Sequence, residues 1–272
     1  LETRPVTVRL SPKLTGQEKE SLLTKWQHAG VTIAEHPYLS YAYRIGNAEG
    51  VLGLAGFAEG QVTVQDVSSM LVCEAAGIKA GDKVIDVCAA PGGKSVHAAE
   101  KLQGTGKVSA RDLTEYKVSL IRDYIDRMQL NNIEALVWDA CKLREEDVET
   151  ADVVLADLPC SGLGIMSKKK DIRYHATKQG LSDLAALQRE ILSCIWQYVK
   201  PGGVLLYSTC TVNPAENEEN VAWFTKQYPF ETESMEQYLP EQLREEGKSG
   251  MLQLFPGIHE TDGFFIARLR RV

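Results

Sequence analysis

The sequence predicts an open α/β sheet of Rossmann-like type, mostly parallel, with a terminal antiparallel hairpin and a small α+β unit ahead of it. Three observations carry that reading. Beyond about Gly60, short apolar runs alternate with amphipathic helical stretches, the pattern of a sheet buried on both faces. The first such run ends in a proline–glycine turn that opens a helix. Later runs end in acidic residues or cysteines, and in an open parallel sheet ligands bind beyond the strands' carboxyl ends.

The elements follow in order. Pro5-Val-Thr-Val-Arg-Leu alternates as a strand does, and Gly16 to His28 reads as a helix with a polar face, ended by Ala29-Gly30. Tyr41 to Ile45 and Val51 to Leu54 read as short strands. Residues 1–60 therefore make a unit that can pack, dimerise or hold a substrate, and pattern alone does not choose among these. Glu59-Gly60 marks the boundary, and residues 61–272 make the larger domain. There, Val67 to Gly77 is helical, Lys83-Val-Ile-Asp-Val-Cys is the first strand, and Lys94 to Leu102 is the helix after it. Lys107 to Arg111, Ile133 to Trp138 and Asp152 to Ala156 are the next strands, and Thr114 caps a helix running to Met128. Leu184 to Val199 is a helix, and Pro201-Gly-Gly turns the chain into a strand ending at Cys210. Asn213-Pro-Ala-Glu-Asn opens another helix with proline near its first position. Met251 to Phe255 and Phe264 to Leu269 supply the hairpin.

With 272 residues, 44% of them hydrophobic, the chain is long enough for a sizeable core. A net charge of −7 argues against a protein that coats nucleic acid, although a cleft can carry a local field of the opposite sign. No apolar run approaches the length of a membrane span. The chain begins at Leu1 rather than Met, which points to a trimmed start and an upstream domain left out. None of the six cysteines belongs to a Cys-x-x-Cys pair, so zinc ligation is not expected, and free thiols in a reducing, cytosolic setting are.

Asp86-Val-Cys-Ala-Ala-Pro-Gly-Gly-Lys-Ser closes the first strand. Gly92 and Gly93 let the backbone approach a ligand, and the helix that follows offers free N–H groups. A phosphate-cradling P-loop would need glycine where Cys88 stands. The methionine end of a nucleoside sulfonium suits this turn, with Lys94 helping to bind it. Asp112 follows the second strand, where an acid can accept two ribose hydroxyls. Asp139 follows the third, where it can accept from an adenine amino group, and Asp157 follows the fourth. One such acid is most often a solvated cap. The series matches a nucleoside lying across the sheet edge.

Cys160 in Asp157-Leu-Pro-Cys-Ser-Gly and Cys210 in Ser208-Thr-Cys-Thr lie in turns beyond two strands, so two thiols can face one pocket. A thiolate can attack an electron-poor carbon at neutral pH. Cys73, Cys141 and Cys194 stand in apolar contexts and read as small buried hydrophobes. The histidines show no ligand spacing and read as structural or surface groups. Lys168, Lys169, Lys170 and Arg173 form the most basic stretch, which can stay solvated or hold phosphates beside the Cys160 turn.

At these residues the chain resembles the RNA cytosine-5 methyltransferases of the RsmB/NOP family, and among them the bacterial Sun/RsmB type that acts on small-subunit ribosomal RNA. The resemblance runs through Gly56-Phe-Ala-Glu-Gly, Val64-Gln-Asp-Val-Ser-Ser-Met, Cys88 to Lys94, Asp157 to Gly162, Tyr207-Ser-Thr-Cys, Pro214-Ala-Glu-Asn-Glu and Thr261-Asp-Gly-Phe-Phe. It implies a class I methyltransferase fold with S-adenosylmethionine as cofactor. Cys88, Ala89, Ala90, Pro91, Gly92, Gly93 and Lys94 would bind the cofactor's methionine end, Asp112 its ribose and Asp139 its adenine. Asp157 would lie between cofactor and target base, Cys210 would be the nucleophile, and Cys160 would help release the product. The implied partner is RNA, single-stranded or looped, with 16S ribosomal RNA first, and residues 1–60 would be an RNA-binding lobe. Ribosomal members often carry an amino-terminal domain resembling the antitermination factor NusB, which this sequence lacks. The same chemistry on transfer RNA, a non-catalytic RNA-binding or assembly factor, and a methyltransferase for small molecules or proteins are the competing expectations. The last leaves the two turn cysteines unexplained.

Overall fold

The structure, a computed structural model, describes residues 6–47, 50, 53–168, 172 and 177–272. Val6–Leu10 (β1) leads into the helix Gly16–His28 (α1), which is held at its start by a reciprocal cap. The Glu18 N–H donates to the Thr15 hydroxyl at 3.3 Å, and the Thr15 N–H donates to the Glu18 carboxylate at 2.8 Å. Thr32–Glu35 (β2), Ala42–Gly46 (β3) and Val62–Val64 (β4) complete an antiparallel sheet in the order β2–β3–β1–β4. Leu22 and Trp26 of α1 pack on Val8, Tyr43 and Ile45 of this sheet. Its last strand lies past Gly60, where the sequence pattern changes. Both β2 and β4 are too short to give a readable alternation. Of the strand expected over 51–54, residues 51 and 52 lie outside the described residues, and Gly53-Leu54 is not strand.

The larger unit opens with Val67–Ala76 (α2), Lys83–Asp86 (β5), Gly93–Lys101 (α3), Lys107–Asp112 (β6), Glu115–Met128 (α4) and Ile133–Val137 (β7). It continues through Ala151–Asp157 (β8), Lys178–Ile195 (α5), Val199–Thr209 (β9), Glu218–Gln227 (α6) and Phe230–Thr232 (β10). Met251–Leu254 (β11) and Phe264–Arg271 (β12) close the chain. The strands lie in the order β10–β12–β9–β8–β5–β6–β7, with β11 also on β12. The run β9–β8–β5–β6–β7 is parallel and β12 is antiparallel to β9, as expected from the sequence. Successive strand residues face opposite layers: Val84, Leu155 and Leu206 enter one core, and Ile85, Val154 and Leu205 enter the other.

Several boundaries differ from expectation. The helix expected to reach Val199 ends at Ile195, and β9 already begins at Val199, so Pro201-Gly-Gly lies within the strand rather than ahead of it. The long helix starts at Lys178 rather than Leu184, because Thr177 caps it by accepting from the Gly180 N–H at 3.1 Å. Pro214 opens only a 3₁₀ turn, Pro214–Glu216, and α6 begins at Glu218. No helix among the described residues is long and apolar enough to cross a membrane.

The two units are joined by buried charge. Arg9 of β1 pairs with Glu100 of α3, both almost fully buried. Ser11 donates to the same carboxylate at 2.8 Å, and Arg9 Nε donates to Gln65 at 2.8 Å. The order in which strands are added reverses between β5 and β8, since β6 and β7 extend the sheet one way and β8 and β9 the other. The ends of β5 and β8 are thus the switch point where a crevice forms.

Candidate active site

Neighbouring parallel strands bring the two cysteine turns together. β8 and β9 pair with Asp157 opposite Ser208, so the turns after them leave the sheet side by side. The Leu158 N–H donates to the Ser208 carbonyl at 3.1 Å, and the Gly164 N–H to the Cys210 carbonyl at 3.0 Å. The outcome is a Cys160 Sγ to Cys210 Sγ separation of 3.0 Å, with the Cys210 N–H donating to the Cys160 sulfur at 3.2 Å.

Both sulfurs border a cleft of about 300 Å³ that also takes in Cys88, Ala90, Asp112, Asp139 and Asp157. Leu113, Trp138, Leu187 and Ile191 give it apolar walls. The loop after β5 is pinned to the end of β6: the Ala89 N–H donates to the Arg111 carbonyl at 2.8 Å, and the Ala90 N–H to Asp112 at 3.0 Å. Gly92 has φ +114°, a conformation that favours glycine, and it brings no side chain to cap α3. The first N–H groups of α3 are therefore left uncapped by a side chain.

Each acid is oriented. Asp112 accepts from the Leu113 N–H at 2.8 Å and pairs with Lys117 at 3.0 Å. Asp139 accepts from the Cys141 N–H at 3.0 Å and remains one-third exposed. Asp157 accepts from Ser208 Oγ at 2.9 Å and pairs with Lys94 at 2.7 Å, while Lys94 also donates to Ser69. Burial works against the Lys94 charge, but the charge and hydrogen bond of Asp157, together with Asp86 nearby, offset it and raise the ammonium pKa above its ordinary value. Lys94 thus faces Asp157 rather than the loop alone.

Electrostatics separates the four thiols of the cleft. Burial raises Cys88 strongly and pushes Cys141 up to about 11. The contact between the other two splits them: the hydrogen bond from Cys160 lowers Cys210 against the opposing effect of burial, and the same bond, with burial, holds Cys160 well above its ordinary value. Cys210 is the one cleft thiol shifted toward thiolate, and Cys160 is its partner held above the ordinary thiol value.

Cys73 and Cys194 are buried as expected, but Cys141 is not. The turn closed by Asp139 aims it at the cleft, a local hydrogen bond that apolar context does not reveal. Lys168 bridges Asp66 at 3.1 Å and Asp262 at 2.5 Å, so its charge is engaged within the protein although half the side chain is exposed. Lys169, Lys170 and Arg173 lie outside the described residues.

Sequence reasoning also missed a buried polar layer beneath the cysteine turns, made of Gln188, Glu216, Asn217 and Asn220. The Asn213-Pro-Ala-Glu-Asn segment was visible, but such a string reads as a solvated helix start. Only the tertiary fold buries it.

Gly164 and Gly263 cross backbone to backbone, the Gly263 N–H donating to the Gly164 carbonyl at 3.0 Å. A Cβ on Gly164 would lie 2.0 Å from the Gly263 oxygen and 2.9 Å from the Cys210 oxygen. Gly164→Ala is therefore expected to cost about 1–3 kcal/mol by overpacking and to displace the Cys160 turn. Denaturant unfolding checks the first effect, and an unchanged midpoint contradicts it.

A family model described as 16S rRNA methyltransferase RsmB/F matches residues 75–270. The "Probable ribosomal RNA small subunit methyltransferase B" of Bacillus subtilis (strain 168) is 42% identical over 224 residues, covering 81% of this chain and 50% of that protein. The chain spans about half the length of the curated relatives it matches. The crystal structure of PH0851 superposes with TM-score 0.90 at 30% identity, covering 99% of this chain and 60% of that one. A methyltransferase homolog protein from Pyrococcus horikoshii gives TM-score 0.81 at 26% identity, covering 100% of this chain and 88% of that one.

Proposed function

The chain belongs to the 16S rRNA methyltransferase RsmB/F family, and on that premise we propose that it moves a methyl group from S-adenosylmethionine to carbon 5 of a cytosine in RNA, first of all small-subunit ribosomal RNA. The observation that carries this reading is the 3.0 Å approach of Cys160 and Cys210 at the wall of the cleft that holds the glycine loop and the three acids.

The cleft fits the cofactor. Its volume is at the lower end of the usual range for small-molecule sites. The uncapped start of α3 suits the carboxylate of the methionine end, and residues 88–94 would hold that end. Asp112 keeps acceptor capacity for the ribose, and the one-third-exposed Asp139 for the adenine amino group. When bound there, S-adenosylmethionine supplies a methyl group on a positively charged sulfur.

Carbon 5 of cytosine is too weak a nucleophile to take that methyl unaided. Addition of the Cys210 thiolate to carbon 6 breaks the ring's aromaticity and makes carbon 5 enamine-like. Negative charge then grows toward nitrogen 3, where Asp157 in its protonated form would donate a hydrogen bond or a proton, with Lys94 and Ser208 beside it to hold the carboxylate left behind. Release needs the carbon 5 proton removed and Cys210 expelled. Once Cys210 is bonded to the ring, Cys160 gives up its own proton to solvent, and its thiolate, a strong base because its pKa is raised, takes the carbon 5 proton directly or through water. A stacked base cannot reach the cleft, so the target is single-stranded or looped.

The small sheet serves as an RNA-binding lobe in this reading. A groove of about 330 Å³ runs between its residues Thr7 and Arg44 and the Lys168 and Asp262 side chains that border the Cys160 turn.

The test is methyl transfer from labelled S-adenosylmethionine to 16S ribosomal RNA and to transfer RNA, with bisulfite sequencing to locate the product. A single modified cytosine in 16S RNA is expected. Modification of transfer RNA alone would reassign the substrate, and cofactor binding without transfer to either would favour a non-catalytic role.

A further inference from the structure

We propose that Glu216 is a positioning residue that sets the approach of the two turn sulfurs: its buried carboxylate fastens the turn carrying Cys160 to the turn that follows Cys210. The inference rests on the two-cysteine reading above and adds to it a residue with no assigned role.

Glu216 has no exposed surface. Its Oε2 accepts from the Ser161 N–H at 2.9 Å and from Gln188 Nε2 at 3.1 Å. Its Oε1 accepts from Ser161 Oγ at 2.6 Å and from Asn213 Nδ2 at 2.9 Å. Gln188 Nε2 also donates to the Pro159 carbonyl at 2.9 Å. Both chain neighbours of Cys160 are thus tied to one carboxylate, Ser161 directly and Pro159 through Gln188.

The other sulfur is held from the adjacent residue. Thr209 Oγ1 donates to Asn217 Oδ1 at 2.6 Å, and Asn217 Nδ2 donates to the Thr211 carbonyl at 3.1 Å. Both neighbours of Cys210 are therefore fixed by Asn217. Ser161 Oγ and Thr211 Oγ1, 2.8 Å apart, close the frame. One dipeptide, Glu216-Asn217, anchors both turns.

An ionic group without exposure is a costly way to fill space, since apolar residues of similar volume serve stability equally well or better. What the carboxylate adds is direction: its two oxygens together meet four donors in fixed positions. Glu216→Gln keeps the shape but turns one oxygen into a donor, which faces existing donors in either flip. The Cys160 turn loosens, and its hydrogen bond to Cys210 weakens.

The test reads thiol chemistry without RNA. Alkylation of Cys210 by iodoacetamide is followed across pH by peptide mass spectrometry in wild type, Glu216→Gln, Cys160→Ala and the double variant. Glu216→Gln is expected to move the Cys210 midpoint up and to slow alkylation at pH 7 by ~5-fold, the factor of one hydrogen bond. Cys160→Ala should move it at least as far, and the double variant no further than Cys160→Ala, because both changes remove one interaction. A Glu216→Gln profile superimposed on wild type, or fully additive effects, overturns the proposal. Should Glu216→Gln fail to fold, Ser161→Ala carries the same test, and an unshifted midpoint there overturns it. If wild type methylates RNA and Glu216→Gln leaves the profile unchanged, only the positioning role falls. If the profile shifts and wild type methylates nothing, the positioning role stands and the reaction assignment falls.

Discussion

Replacing Cys210 with serine is expected to lower methyl transfer by roughly 10⁴- to 10⁶-fold, the range for loss of a covalent nucleophile. The size follows from two features. A serine hydroxyl lacks the thiol's ready ionisation near neutral pH, and Cys210 is the cleft thiol that its neighbour shifts toward thiolate. Cofactor affinity should change little, because residues 88–94, Asp112 and Asp139 are untouched. Calorimetric titration with S-adenosylmethionine beside a tritium-transfer assay separates the two quantities. A Cys210→Ser protein that turns over within tenfold of wild type rules out covalent catalysis from this position. In wild type the rate should rise with pH to a plateau, with its midpoint below that of an ordinary thiol, since the deprotonated form is the active one.

Replacing Cys160 with alanine should have a different signature. The nucleophile remains and one methyl can be transferred, but the group placed to remove the carbon 5 proton is gone. Loss of a general base typically costs about 10²- to 10⁴-fold in turnover. The methylated adduct should therefore accumulate, giving a burst near one methyl per enzyme and a denaturation-resistant protein–RNA band. The acid limb of the first transfer should also move to higher pH, because the hydrogen bond that lowers Cys210 is lost. Normal turnover without an adduct would remove Cys160 from the reaction.

Much of this arrangement was legible in the sequence where local chemistry and tertiary fold agree. The helix Gly16–His28 was bounded correctly because the Thr15–Glu18 cap is local, and α4 because Thr114 caps it. The strand ends followed from apolar runs closed by acids, and parallel topology alone was enough to bring Cys160 and Cys210 to one edge. What stayed hidden depends on residues distant in sequence. The three-residue strands β4 and β10 exist through pairing with β1 and β12 rather than through any pattern of their own. Cys141 faces the cleft because of one hydrogen bond to Asp139. Glu216 reads as a surface acid and is buried because α5 and the Cys160 turn close over it. Lys94 reads as a ligand for an anion, and its partner Asp157 lies at the end of β8, beyond β6, α4 and β7 from the loop's own helix.

The central claim is that the sulfur at position 210 bonds to the target ring. Incubating the protein with S-adenosylmethionine and RNA carrying 5-fluorocytosine blocks the final proton removal and should hold the adduct in place. Digestion and mass spectrometry should then find the nucleotide mass on the peptide containing Cys210. Its appearance on the Cys160 peptide instead, or methylated product with no adduct at all, would contradict the account.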